Sequence, residues 1–293
     1  RYCRRFIEAS PVESCTVMSG TLYIVSTPIG NLDDISHRAI AVLGQVDWVA
    51  AEDTRHSQRM LEQLGIRSRM ISCHDHNEGQ RSEELVGRLQ SGEQGALISD
   101  AGTPLVSDPG YRLVRACHRA GVRVVPIPGA SALLAALAAA GQPSDRFLFE
   151  GFVPAKGAPR QQAIERLAGL SVTSIIYEAP HRVLSFLEAL KPLVEKDREI
   201  SLCRELTKQF ETIRLGAVAD ICDWVASDSN QQRGELVLIL SPTAQTAAWS
   251  DRDQALAKSL LAELPVSRVA KIMAAHTGMK RQAVYALLEA MNN

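Results

Sequence analysis

No run of about 18 apolar residues occurs in the 293-residue chain, so no membrane-spanning helix is expected. The nearest approach, residues 130–140, is short and consists mostly of Ala and Leu, which reads as a tightly packed internal helix. The six cysteines, Cys3, Cys15, Cys73, Cys117, Cys203 and Cys222, include no C-x-x-C pair. Zinc-site and redox spacings are therefore missing, and a chain of this length needs no disulfide staples, so reduced thiols are expected. No G-x-G-x-x-G opens a helix and no G-x-x-x-x-G-K-S/T occurs, which removes the common dinucleotide fingerprint and the P-loop. Charge of one sign is lacking too: 32 Lys and Arg stand against 33 Asp and Glu, a net of -1. That excludes indiscriminate coating of nucleic acid, and any such contact has to come from local patches. Residues 1–17 carry Arg1, Arg4 and Arg5 but no apolar segment of the signal-peptide kind. Met18 is the expected natural start, with residues 1–19 a disordered or non-native tail.

What the chain has is rhythm. Hydrophobic residues make up 46% of it, enough for two modest cores. Apolar runs at 22–25, 46–51, 70–72, 96–99 and 122–126 predict strands, and amphipathic stretches at 36–44, 54–65, 80–91 and 110–120 predict helices between them. This alternation is that of a mostly parallel sheet covered on both faces, over residues 20–143. A second α/β unit, residues 144–243, has strands at 146–150, 172–177, 199–203, 211–215 and 235–240, with helices at 158–169, 180–191 and 216–226. The seven-residue link between 203 and 211 predicts an antiparallel pair and hence a mixed sheet. Residues 241–250 read as a linker. A helical tail, 251–293, has apolar triplets at Leu256, Leu260 and Leu261, at Val269, Ile272 and Met273, and at Val284, Leu287 and Leu288. The spacing resembles a helix-turn-helix. Over 265–293 the tail carries Arg268, Lys271, Lys280 and Arg281 against Glu289, a net of +3. Docking on RNA and capping the body are equally open readings.

Four Gly- or Pro-rich segments each follow a predicted strand: Thr27 to Leu32, Ser99 to Pro104, Pro126 to Ala132, and Tyr177 to Arg182. In an open α/β sheet, ligands bind beyond the carboxyl ends of the strands, and rigid Gly/Pro loops let the backbone approach them closely. Together they point to one large cofactor.

The order of these loops resembles the tetrapyrrole methylase superfamily. Within it, Ala51-Glu52-Asp53-Thr54-Arg55, His74-Asp75-His76-Asn77-Glu78, Pro143-Ser144-Asp145-Arg146-Phe147 and Arg204-Glu205-Leu206-Thr207-Lys208 are similar to the branch that methylates ribosomal RNA. The resemblance runs over residues 20–240 and includes the tail. It implies two α/β domains with the cofactor cleft between them, S-adenosylmethionine as cofactor, and 2′-O-methylation of a cytidine ribose in small-subunit (16S) ribosomal RNA near the decoding centre. It also implies a cytoplasmic homodimer. Pro28, Asp100, Gly102, Thr103, Val106, Ser131, Ala132, Tyr177, Leu206 and Leu236 are then the expected cofactor-binding residues. Asp100 either holds the cofactor's amine or shapes its loop. Ser131 and Ala132 open a helix whose N–H groups suit a carboxylate, and plain N-capping by Ser131 is compatible with that.

Methyl transfer asks the protein to align a hydroxyl and remove its proton. The polar candidates are Glu52, Asp53, Arg55, His74, His76, Glu78, Arg204, Glu205 and Lys208. Of these, Glu52, Asp53, Arg55, His76, Glu205 and Lys208 form the expected catalytic set, with Arg55 and Lys208 as phosphate or hydroxyl partners. His74 and Glu78 read equally well as solvated loop residues. His74 and His76 share a strand face, but no distal third ligand accompanies them, so no metal is expected. Two alternatives remain open: a methylase of a tetrapyrrole or a modified protein histidine, and a non-catalytic S-adenosylmethionine-binding RNA module.

Overall fold

The computed structural model describes residues 19–74, 77–243, 249, 251–277, 279 and 281–292. The expected 1–19 tail except Ser19, His76, most of the linker and Lys280 lie outside them.

Short strands with both faces apolar are built for burial between helices. In β2 (Trp48–Ala51), Trp48 and Ala50 enter one core and Val49 and Ala51 the other. The remaining strands of this sheet are β1 (Thr21–Val25), β3 (Met70–Ser72), β4 (Gly95–Ile98) and β5 (Arg123–Ile127). Every pairing is parallel and the order is β3-β2-β4-β1-β5. Helices α3 (Glu78–Gln90) and α4 (Tyr111–Arg119) cover one face, while α1 (His37–Leu43) and α2 (Thr54–Gln63) cover the other. β2 starts two residues later than its apolar run suggests, because Val46 N–H still donates to Val42 O of α1 at 3.1 Å.

The second sheet has order β6-β7-β10-β8-β9. It comprises β6 (Phe147–Phe152), β7 (Thr173–Glu178), β8 (Glu199–Arg204), β9 (Thr212–Ala217) and β10 (Leu236–Leu240). Only β6 and β7 run parallel, and β8–β9 is the expected antiparallel pair. One face packs on α6 (Gly157–Ala168), α7 (Val183–Leu190) and α8 (Val218–Ser227). The other receives α5 (Ala132–Ala139), whose Leu133 and Ala136 share a core with Ile175, Cys203, Val237 and Ile239. Small Ala side chains let this helix sit close to the sheet. Just beyond its end, Ala140 O accepts from Ser201 Oγ at 2.8 Å. The Ala-rich helix therefore joins the two α/β units.

The tail forms α9 (Asp251–Glu263), α10 (Val266–Thr277) and α11 (Arg281–Asn292) around a core of its own, with Trp249, Ala257, Val269, Met273, Val284 and Leu288. No described helix is long and apolar enough to cross a membrane.

Candidate active site

Because the first sheet is wholly parallel, the loops after β1, β4 and β5 emerge at one edge, and they are laced together there. Thr27 and Gly102 exchange backbone bonds, N to O, of 2.8 and 3.1 Å. Thr103 Oγ1 donates to Ala130 O at 3.0 Å and lies 3.0 Å from Ser26 Oγ. Opposite them, antiparallel pairing sets Leu236, at the start of β10, against Glu178 of β7 and Arg204 of β8. The two edges face each other across a cavity of about 400 Å³.

Nine of the ten expected cofactor residues line this cavity: Asp100, Gly102, Thr103, Val106, Ser131, Ala132, Tyr177, Leu206 and Leu236. Pro28 does not, and buried Ile29 takes its place. The chain is extended where Thr27 bridges to Gly102, so consecutive side chains leave it in opposite directions. The sequence reading also missed Phe152, Cys203, Glu178 and the Gly234–Glu235 turn, all on the wall. Phe152 packs edge-on against Tyr177, with ring centroids 5.5 Å apart. Two wall residues share a backbone device. Val106 lies between Leu105 (φ 72°) and Ser107 (φ 64°), and Leu206 lies between Glu205 (φ 51°) and Thr207 (φ 66°). Left-handed backbone at non-glycine residues is strained and persists where its surroundings hold it.

Ser131 occupies the N-cap position of α5, yet its side chain accepts no bond from the first turn. Leu133 N–H instead donates to Tyr177 Oη at 3.1 Å. Burial pushes the Tyr177 phenol up to about 12, with the Leu133 bond pulling the other way, so the hydroxyl stays protonated at neutral pH. Burial likewise raises the Cys203 thiol to about 12, which rules it out as a ready nucleophile.

The polar candidates stand at two rims. On one, Asp53 caps α2 by accepting from the N–H groups of Arg55 (2.9 Å) and His56 (3.1 Å), and these bonds hold its carboxyl below the ordinary range. Its own N–H donates to Asp100 Oδ1 at 3.1 Å, tying the Glu52–Arg55 turn to the cavity wall. Glu52 and Arg55 are exposed. On the other rim, Lys208 Nζ sits 3.0 Å from Glu205 Oε1 and 2.8 Å from Glu235 Oε2. Its stem lies over Gly30, where a Cβ would collide with it, and Gly234 similarly leaves room for the Glu205 carboxylate. The expectation that Lys208 is available for phosphate thus meets two carboxylates already holding it. Arg204 is buried and supports this turn through Phe210 O at 3.0 Å.

Glu78 is neither solvated nor at the cavity. It is 5% exposed, and its Oε1 accepts from the N–H groups of Gly110, Arg112 and Leu113 at 3.1, 2.6 and 3.3 Å, capping α4 from α3. His74 N–H donates to Asn77 Oδ1 at 2.9 Å, which closes the turn ahead of α3. No cluster of metal-ligating side chains exists among the described residues.

Residues 21–222 match the family model of the tetrapyrrole (corrin/porphyrin) methylases, and residues 247–292 match that of the RsmI C-terminal HTH domain. The chain is 50% identical to the ribosomal RNA small subunit methyltransferase I of Pseudomonas aeruginosa, over 91% of its own length and 96% of that protein's. It is 47% identical to the Escherichia coli O157:H7 protein of that name, over 93% and 96%. Among solved structures, the methyltransferase CobJ superposes with a TM-score of 0.58 at 20% identity, over 77% of this chain and 95% of that one. The parallel and mixed sheets, the cleft between them and these matches agree: the chain belongs to the tetrapyrrole methylase family.

Proposed function

We propose that this chain transfers a methyl group from S-adenosylmethionine to the 2′-hydroxyl of a cytidine in small-subunit (16S) ribosomal RNA near the decoding centre. The observation that carries the reading is the position of the two strings that set the RNA branch apart from its relatives. The Glu52–Arg55 turn is bonded to Asp100, and the Arg204–Lys208 turn packs on Gly30, so both border the cleft. The relatives of similar length and high identity, named for small-subunit ribosomal RNA methylation, support the same substrate.

The residues present fit the cofactor. The cavity has the size of a small-ligand site. The first turn of α5, uncapped by Ser131 and with only the Leu133 N–H taken by Tyr177, offers its other backbone N–H groups and the positive end of a helix dipole to a carboxylate. Asp100 on the wall offers a carboxylate to an ammonium group. Bound there, S-adenosylmethionine supplies an electrophilic methyl carbon. The chain's own residues would hold the ribose hydroxyl in line with that carbon and take up its proton or pass it to water. Asp53 and Glu205, both held below their ordinary pKa and committed to N–H or ammonium donors, are weak acceptors for that proton. Glu52 is the carboxylate to test beside them, and His76 the imidazole.

The protein acts in this reading as a cytoplasmic homodimer, for which exposed Phe210, Ile213 and Leu215 at the β9 edge supply an apolar surface. Light scattering on the purified chain tests the dimer. The activity is tested by incubating the chain with methyl-labelled cofactor and small ribosomal subunits lacking the modification, then mapping label with nuclease. Label on one cytidine ribose is expected. Label on a base or on ribosomal protein, or none above the blank, overturns the assignment.

A further inference from the structure

α4 leaves the cleft loop at Gly110 and buries Leu113 and Cys117. Its other side carries Arg112, Arg115, His118 and Arg119, all exposed, and the helix contains no acid. Arg112, Arg115 and Arg119 recur at steps of three and four and so line one stripe. At its head stands Tyr111, 59% exposed, with Arg115 Nη1 donating to its hydroxyl at 2.6 Å and the guanidinium 5.8 Å from the ring centroid. Shallow grooves flank this ridge, one reaching Arg112 and Ala116, the other Val114 and His118.

Within the fold these charges gain only the helix dipole at His118 and Arg119 in the last turn and the Arg115–Tyr111 bond. Among the described residues none of the three arginines joins an ion pair, whereas neighbouring α3 pairs its own, Arg81 and Arg88, with Glu84. The N-terminus of α4 is already capped by Glu78, and a cation in the first turn, as at Arg112, opposes the helix dipole. In a chain of net charge -1, the stripe is a local concentration of the kind that grips phosphate. The aromatic ring decides between RNA and an acidic protein, because a base stacks on an exposed ring beside phosphate-binding cations. The head of the stripe also lies three and four residues after Asp108 and Ser107, which line the cavity.

From this we infer that the outer face of α4 is a second docking surface, holding the RNA strand that flanks the methylated nucleotide. Phosphates lie on Arg112, Arg115 and Arg119, and a base stacks on Tyr111. The inference rests on the ribosomal RNA reading of the cleft.

The test compares the full chain with an Arg112→Gln/Arg115→Gln/Arg119→Gln variant and with Tyr111→Ala. Affinity for small ribosomal subunits and for their protein-free RNA is measured across a salt series, alongside cofactor affinity and melting temperature. Each lost phosphate contact removes about 0.7 to 0.9 from the slope of log affinity against log salt, so the triple variant should flatten it by about 2 to 3. Its subunit affinity should fall at least ~10-fold near physiological salt, since three phosphate contacts carry that much. Tyr111→Ala should weaken binding with the slope unchanged. Cofactor affinity and melting temperature should stay at wild-type values for both. A triple variant with wild-type KM and slope, on subunits that the wild type methylates, overturns this inference alone. So does a loss seen on assembled subunits but absent on protein-free RNA, which would assign the face to a ribosomal protein. A wild-type chain that neither binds nor methylates subunits overturns the cleft reading together with this one.

Discussion

At the residue scale, the Glu205–Lys208–Glu235 cluster is a latch whose strength depends on pH. Burial pushes the Glu205 carboxyl up, but the Glu235 N–H bond and Lys208 outweigh it, and the net pKa is below the ordinary 4.5. Its contribution is therefore present above that value and lost as pH falls through the lowered one. Burial pulls Lys208 down, but the bonds and charges of Glu235 and Glu205 win, and the net is above the ordinary 10.5. Its contribution is full below 10.5 and lost as pH rises through the raised value. We expect Lys208→Met, which keeps the stem over Gly30 but removes the ammonium, to cost about 1 kcal/mol in urea unfolding at neutral pH. The gap to wild type should close at both pH extremes; a gap that stays constant with pH would reject the latch. Glu178 is a different case. It is 2% exposed and held by Arg160 and Arg182, each at 2.8 Å. Removing one partner of a buried charge cluster costs about 3 to 5 kcal/mol, so Glu178→Gln should lower the denaturant midpoint far more than Lys208→Met does.

At the scale of elements, the Glu78 carboxylate shows how one side chain from α3 sets the start of α4. Glu78→Ala strands N–H groups at Gly110 and Leu113 in a buried setting, and should cost about 1 to 2 kcal/mol. Hydrogen exchange should locate the loss in the first turn of α4, and protection unchanged there would sink the idea. The sequence carried no sign of this cap. Glu78 sits in a polar string, and its partners lie more than 30 residues away. The strands, by contrast, were readable almost to the residue, because β-branched and aliphatic runs bounded by Gly and Pro are a local signal. The cleft divides along the same line. Loops that follow parallel strands were legible as a group, since a parallel sheet sends them all to one edge. Phe152 and Glu235 were not, because they reach the cavity through the register of β6 on β7 and of β10 on β8, which no local pattern encodes. Ile29 rather than Pro28 lines the cavity, since neighbouring side chains alternate along the extended chain there.

At the scale of the whole molecule, the tail shares none of its core residues with the two sheets. Deleting residues 249–293 should leave cofactor affinity unchanged while raising KM for small subunits and flattening the salt slope. Arg252, Lys258, Arg268, Lys271 and Arg281, all exposed, are the described Lys and Arg removed. A deletion with wild-type KM and salt slope would make the three helices a mere cap. The four described cysteines offer a way to watch these bodies separately, because each thiol is buried among apolar neighbours. Cys73 and Cys117 belong to the core between the first sheet and α3–α4, Cys222 to that beneath α6–α8, and Cys203 to the junction at the cavity. A thiol raised from 9.0 to about 11, as at Cys73 and Cys117, holds about a hundredfold less thiolate at a given pH. Alkylation is then a clock for local opening, with each peptide keeping its own time. Ligand in the cleft should slow the Cys203 clock most, and the Cys73 and Cys117 clocks should run on together.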